Sequence, residues 1–374
     1  MGKNLVVCCD GTANQVVQGS DTNVVRLCGI AIKDDRQIVY YSPGLGTLEA
    51  EGALTWFGRL WTKVAGLAAG YGIARDISNA YAFIMAHYEP DDRLYLFGFS
   101  RGAYTARAVA SLLRLYGLLR VGNEALVPYL IRELLHFDSL AYRLVDALTH
   151  SRWQLNKKRV DAKFAKAREI CSVFATRPCR PHFVGVWDTV SSVGWAFSPT
   201  RIPYTAKNEH IRIGRHALAL DERRAFFIRN LWQRDPLQKS PGPLDIKEVW
   251  FAGVHSDIGG GYPDAKNGLS KITLDWMVRE ARAADFLADP TALERELGND
   301  GSRKSRPDPS ADLHNSMIGL WPLAEFVPLV SGLSGWRLNL FRRRHVPIGA
   351  LIHSSVAKRA GYTRPLPEGY RTEI

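Results

Sequence analysis

The chain has 374 residues, a hydrophobic fraction of 46% and a formal net charge of +12, which suits a globular protein of one large or two ordinary domains and favours anionic surfaces as partners. No stretch approaches the roughly 18 to 20 apolar residues of a membrane span, and the apolar run in "MGKNLVVCCDG" is too short for a signal peptide. The five cysteines form no CxxC pair, which argues against a zinc site or a disulfide framework and predicts buried free thiols in a chain made in a reducing cytoplasm.

In chain order, five short apolar segments bounded by turn residues read as buried strands: "NLVVCCDGT" at 4–12, "QIVYYSPG" at 37–44, "RLYLFGFS" at 93–100, "HFVGVWDT" at 182–189 and "EVWFAGVHS" at 248–256. A helical stripe of Ile73, Ile77, Tyr81, Ile84 and Tyr88 lies between the second and third. The helix after Ser100 sets Ala103, Ala106 and Ala110 on one side for close contact with a sheet and Arg107 with Arg114 on the solvent side, and Gly117 is placed to end it. Residues 121–180 read as a helical, basic insertion, expected as a cap over the site, and the polar stretch 299–313 as an exposed loop. Strands alternating with helices predict a single α/β domain over 1–374, with a mostly parallel central sheet and helices on both faces.

In an open parallel sheet, ligands bind beyond the carboxyl ends of the strands. Those ends carry Asp10-Gly11-Thr12, Ser100, Asp188, and His255 with Asp257. Gly98-x-Ser100-x-Gly102 matches a nucleophile elbow, a tight strand-to-helix turn that projects a hydroxyl upward. A serine is a weak nucleophile at neutral pH, so it needs a base, and the base needs an orienting carboxylate. His255 and Asp188 fit those roles, and the order Ser100, Asp188, His255 is the order of α/β-hydrolase triads. His353 in "LIHSSVAKR" is the rival base. Asp257 stands too near His255 in the chain to orient its ring and is expected to bind loop N–H groups. The oxyanion hole is expected from the Arg101 N–H and from Gly11 or Thr12, with Asp10 holding that loop.

Together these blocks resemble the uncharacterised α/β-hydrolase domain family that includes type VI secretion phospholipase effectors. The matching pieces are "CDGT" with Asn14, "YYSPGLGT", "GYGIARDISNAYAFI", "LFGFSRGAYTARAVASLL", "GVWDTVSSVG", "HALALDERRAFF", "GVHSDIGGGY" and "HSSVAKR". Ala13 and Ser42 depart from the family pattern, where a tryptophan and an acidic residue are expected. The resemblance implies a Ser–Asp–His hydrolase of a lipid ester that needs neither cofactor nor metal, with Ser100, Asp188 and His255 in the catalytic roles. It also implies a secretion or immunity partner and export without a signal peptide.

Three other readings use the same residues. Asp10-Gly11-Thr12 is similar to the motif of haloacid-dehalogenase-like phosphatases, but their nucleophilic aspartate would fall at Cys8. A metal-dependent phosphoesterase would use Asp10, Asp188, His255 and Asp257 as hard ligands. A non-catalytic scaffold would bind an anionic membrane through 320–346, where Trp321, Phe326, Trp336 and Phe341 accompany Arg342-Arg343-Arg344. No nucleic-acid recognition motif is present, so nucleic acid is not an expected partner.

Overall fold

The computed structural model describes residues 2–11, 20–44, 67–135, 152–174, 176–190, 194–195, 198–199, 202–206, 208–225, 227, 230–232, 245–301, 304–319, 321–326, 329–330 and 336–374. Among them, one sheet of eight strands organises the chain: β1 (Asn4–Cys9), β2 (Gln37–Ser42), β3 (Arg93–Phe99), β4 (Pro181–Trp187), β5 (Ile213–Ala219), β6 (Asp245–Phe251), β7 (Leu351–His353) and β8 (Arg371–Glu373). Their spatial order is β8-β7-β6-β5-β4-β3-β1-β2, and every neighbouring pair is parallel. The order reverses between β1 and β3. That switch point opens a crevice beyond the strand ends, where Asp10 and Ser100 lie.

Helices cover both faces: α1 (Asn23–Ile30), α2 (Leu67–His87), α3 (Arg101–Tyr116), α4 (Val127–Leu135), α5 (Arg152–Val173), α6 (His255–Gly259), α7 (Gly268–Arg282), α8 (Pro290–Glu296), α9 (Trp321–Ala324) and α10 (Ser354–Ala357). Side chains alternate along β1, so Leu5, Val7 and Cys9 join a core with α2, α3 and α4, while Val6 and Cys8 join a second core with α1 and α7. With both faces buried, the strand has no polar side to show, which explains the unbroken apolar run in its sequence. No helix among the described residues is long and apolar enough to cross a membrane.

The five expected strands are present, but the sheet also holds β5, β7 and β8. β5 escapes an apolar-run criterion because Gly214, Arg215 and His216 interrupt it. Arg215 is buried in the strand and reaches Glu280 at 2.5 Å and Asp245 at 2.6 Å, so its charge is matched inside the fold. β6 ends at Phe251 rather than continuing to His255, which instead opens α6.

Arg107 also departs from expectation. It is fully buried, not solvent-facing, because α3 is enclosed almost all round. Its Nε donates to Thr205 O at 2.6 Å, its Nη1 to Asn230 O at 2.5 Å, and its guanidinium lies 4.6 Å from the Trp232 ring centroid. Gly117 ends α3 with φ +64° and an N–H bond to Leu113 O.

The 121–180 insertion is described through α4 and α5. It is pinned by the Leu118–Arg177 backbone pair and by Cys171 Sγ against Leu115 O and Tyr116 O. These anchors sit at the carboxyl end of α3, about 24 Å along a helix of this length from Ser100, and segment 136–151 lies outside the described residues. Within 299–313 the described residues form no helix or strand. That loop is tied down by Ser305 N–H on Asp264 Oδ2 and by Lys271 Nζ on Ser305 O, both at 2.7 Å.

Candidate active site

Ser100 stands between β3 and α3, as the residue before the helix, with φ 58° and ψ −119°, a conformation that L side chains rarely adopt. Its flanking glycines have a packing reason. A Cβ on Gly98 would strike the Gly102 carbonyl, and a Cβ on Gly102 would strike the Cys9 carbonyl at the end of β1. The turn therefore closes only with glycine at both positions, and it leaves the serine side chain outside the packed backbone. The Ser100 N–H bonds to Trp187 O at 3.2 Å, which ties the elbow to the end of β4.

The first residue after β4 is Asp188, fully buried and itself at φ 37°. Its Oδ2 lies 2.5 Å from His255 Nδ1. The same carboxylate accepts Arg344 Nη1 on Oδ1 at 2.5 Å, Arg344 Nη2 on Oδ2 at 3.1 Å, and the Ala219 N–H on Oδ1 at 3.1 Å. Burial alone would raise the Asp188 pKa, but Arg344 and the His255 hydrogen bond overcome it and hold the carboxyl well below the usual range. It is a carboxylate at any working pH.

His255 is buried between two aromatic rings, with Phe99 at 4.6 Å and Phe227 at 4.8 Å between centroids. Burial lowers its pKa, with Asp188 pulling in the opposite direction, and the net shift is downward. With Nδ1–H donated to Asp188, the neutral ring keeps its lone pair on Nε2. That atom is buried and makes no hydrogen bond, to Ser100 or to any other group among the described residues. The structure thus joins His255 to Asp188 and sets Phe99, the neighbour of Ser100, against the imidazole.

A second carboxylate holds the histidine loop. Glu222, fully buried, accepts the His255 N–H at 3.2 Å, Ser316 Oγ at 3.1 Å and Arg224 Nη2 at 2.8 Å. Burial raises its pKa and Arg224 lowers it, for a net value of about 2. Asp257 accepts the Val254 N–H at 3.0 Å and the His314 N–H at 3.3 Å, and it pairs with His314 Nδ1 at 2.5 Å.

On the β1 side, Asp10 accepts the Gly11 N–H at 2.7 Å, Thr22 Oγ1 at 2.7 Å and Tyr41 OH at 2.9 Å. Burial outweighs these bonds and raises its pKa to about 6. Gly11 lies against the elbow, its Cβ position 3.2 Å from Ser100 Cβ, but its N–H is already given to Asp10. Thr12 lies outside the described residues. Arg101 is the first residue of α3, and Ser100 makes no side-chain cap there.

The rival base His353 sits at the end of β7, stacked on Phe251 at 4.6 Å. Its Nδ1 accepts the Ser355 N–H at 3.2 Å and meets Ser355 Oγ at 2.8 Å, so it caps α10. The four groups of the metal-site reading do not converge: Asp188 faces His255 and Arg344, Asp10 faces Thr22 and Tyr41, and Asp257 faces His314. Among the described residues no group of three or more His, Cys, Asp or Glu side chains is gathered to hold a metal ion.

The sequence matches the model of the T6SS phospholipase effector Tle1-like catalytic domain over residues 3–280. The chain belongs to that family. It is 29% identical over 235 residues to an uncharacterized protein of Saccharomyces cerevisiae, covering 60% of this chain and 32% of the yeast protein. Its fold is similar to that of an uncharacterized Pseudomonas aeruginosa protein, with 21% identity, TM-score 0.43, and 78% of this chain on 47% of that one. It is also similar to a Tle1 effector solved bound to the VgrG spike of the type VI secretion system, with 17% identity, TM-score 0.34, and 72% on 52%. The chain thus spans about a third of the yeast relative and about half of each solved chain. Within this Tle1-like domain, the matched span holds Ser100, Asp188, His255 and Glu222, whereas Arg344 lies beyond it. Sequence reasoning missed both Glu222 and Arg344. Glu222 stands inside the quoted block "HALALDERRAFF", but Arg344 belongs to a basic run with nothing to mark one member as buried.

Proposed function

We propose that this Tle1-like domain hydrolyses a carboxylic ester, with a phospholipid or other lipid ester as substrate, through a Ser100–His255–Asp188 triad. The observation that carries the reading is the buried 2.5 Å pair of Asp188 and His255 beside a serine held at φ 58° between two close-packed glycines. Membership of a phospholipase effector family supports the lipid class.

In this mechanism Ser100 Oγ bonds to the ester carbonyl carbon while His255 Nε2 takes the hydroxyl proton, and the carbonyl electrons move onto oxygen. Arg344 and the Ala219 N–H keep Asp188 ionised and fixed, so it orients the imidazole and balances the imidazolium. The oxyanion is met by the Arg101 N–H at the start of α3, where the helix dipole adds positive potential. The Gly11 N–H serves Asp10 instead, and Thr12 lies outside the described residues. Collapse expels the alcohol, which takes the proton from Nε2. Water then attacks the acyl-serine with its proton passing to Nε2, releasing the acid and restoring the serine.

The test is labelling with a fluorophosphonate probe, comparing the wild type with a folded Ser100→Ala variant, followed by a screen of lipid esters. Labelling confined to the wild type is expected. A well-folded wild type that takes no label and cleaves no ester would overturn the triad.

A further inference from the structure

The described residues of 318–348 follow the span matched by the family model, and Arg344 among them reaches the Asp188–His255 pair. Six of the eleven large apolar side chains exposed among the described residues fall in this short segment: Ile318, Leu323, Phe326, Leu338, Leu340 and Ile348. Single exposed apolar residues are ordinary on a protein surface, whereas a contiguous group marks an interaction face.

Contiguity follows from Glu325, which is fully buried beneath the face. Its Oε2 accepts Asn339 Nδ2 at 2.6 Å and the Phe341 N–H at 2.9 Å, and its Oε1 accepts the Ala225 N–H at 2.7 Å. These bonds sew α9 to the 339–341 turn and bring the Phe326 and Phe341 rings to 6.1 Å. Leu340 and Phe341 both take positive φ, 50° and 60°, which costs energy for such residues. Leu340 is nonetheless 45% exposed, beside Phe326 at 58% and Leu323 at 66%. Exposed Arg342 and Arg343 follow directly.

The face is also fastened to the catalytic pair. Trp321 packs on Phe227 at 5.4 Å, Phe227 packs on His255, and Arg344 at the end of the turn grips Asp188.

We propose that this apolar knuckle with its arginine fringe docks on the surface of an anionic lipid bilayer, beside the Asp188–His255 pair. The inference rests on the lipid-ester reading for its purpose, but binding is measurable without turnover. Apolar side chains enter the headgroup boundary while the arginines meet the negative surface potential.

The Ser100→Ala variant of this chain, which leaves lipid intact, is sedimented with vesicles of equal parts phosphatidylglycerol and phosphatidylcholine, and with phosphatidylcholine alone. Expected is binding to the anionic vesicles that weakens between about 0.1 and 0.5 M salt. Arg342→Gln with Arg343→Gln should weaken it by about fivefold per arginine, and Leu323→Ser with Phe326→Ser by about tenfold or more. In the Ser100-containing chain the same substitutions should leave cleavage of a soluble short-chain ester unchanged. Equal vesicle binding by all variants would overturn the proposal, as would absence of binding by the parent. Self-association by light scattering that the Leu323 and Phe326 substitutions abolish would overturn it in favour of a second copy of the chain. Vesicle binding without ester cleavage would instead strike only at the hydrolase reading.

Discussion

Arg344 forks the carboxylate of Asp188, with Nη1 at 2.5 Å from Oδ1 and Nη2 at 3.1 Å from Oδ2, while His255 holds the same group from the other side. A cation there makes the carboxylate a weaker partner for an imidazolium, so the pair gives up its proton more readily. Glu222, Arg224 and His216 complete the charged and titratable surroundings of the two residues. In Arg344→Met the full charge of Asp188 faces the histidine, and the acid limb of kcat/KM should move to higher pH. The pH profile for a soluble ester, measured on wild type, Arg344→Met and Arg344→Lys, checks this, with lysine giving the intermediate profile. An acid limb that does not move would reduce Arg344 to a structural tie. Unpairing a buried charge should also cost roughly 3–5 kcal/mol of stability.

The wild-type profile has its own expected form. Burial lowers the His255 pKa against the pull of Asp188, so activity should persist below the ordinary histidine value of 6.5. The stability linkage has the same sign. As pH falls through the unfolded-state value, the unfolded chain takes up a proton that the folded site resists, and stability declines. Replacing His255 with glutamine removes that residue's share of the slope, and urea melts of both proteins across pH 5.5 to 7.5 (about one unit either side of that value) measure the difference.

Ser100→Gly should raise stability while abolishing ester cleavage. At φ 58° and ψ −119° the serine is held in a region that glycine enters freely. Strain of this kind costs about 1–3 kcal/mol, part of which the substitution returns. Denaturant midpoints of the two proteins give the sign. A loss of stability in Ser100→Gly would show that the elbow carries no strain.

The elbow, the strand ends and the two-sided burial of β1 and β3 are legible in the sequence because each rests on local pattern: an apolar run, then glycine, then the reactive side chain. The Asp188–His255 contact is legible because both residues follow such runs. What local pattern does not carry is long-range compensation. Arg107 looks like a solvent residue on a helix until the Thr205 and Asn230 carbonyls are brought beside it. Arg215 breaks a strand pattern until Glu280 and Asp245 neutralise it. Arg344 is one arginine in a row of three, distinguished only by a partner 156 residues away in the chain.

His353 provides a control with an opposite expected outcome from His255. Both histidines follow strands and both are buried, but His353 spends Nδ1 on Ser355 at the start of α10. Burial, with Arg279 and Lys358 nearby, lowers its pKa to about 4, so it is neutral through the working range and its ring serves as a cap. His353→Ala should therefore cost about 1 kcal/mol, the usual worth of a lost helix cap, and leave cleavage of a soluble ester within about twofold. His255→Ala should lower kcat by about a hundredfold to ten-thousandfold, the range for removing a general base. Paired kcat and denaturation measurements on the two variants separate the roles. A collapse of kcat in folded His353→Ala, with His255→Ala active, would move the base to the end of β7.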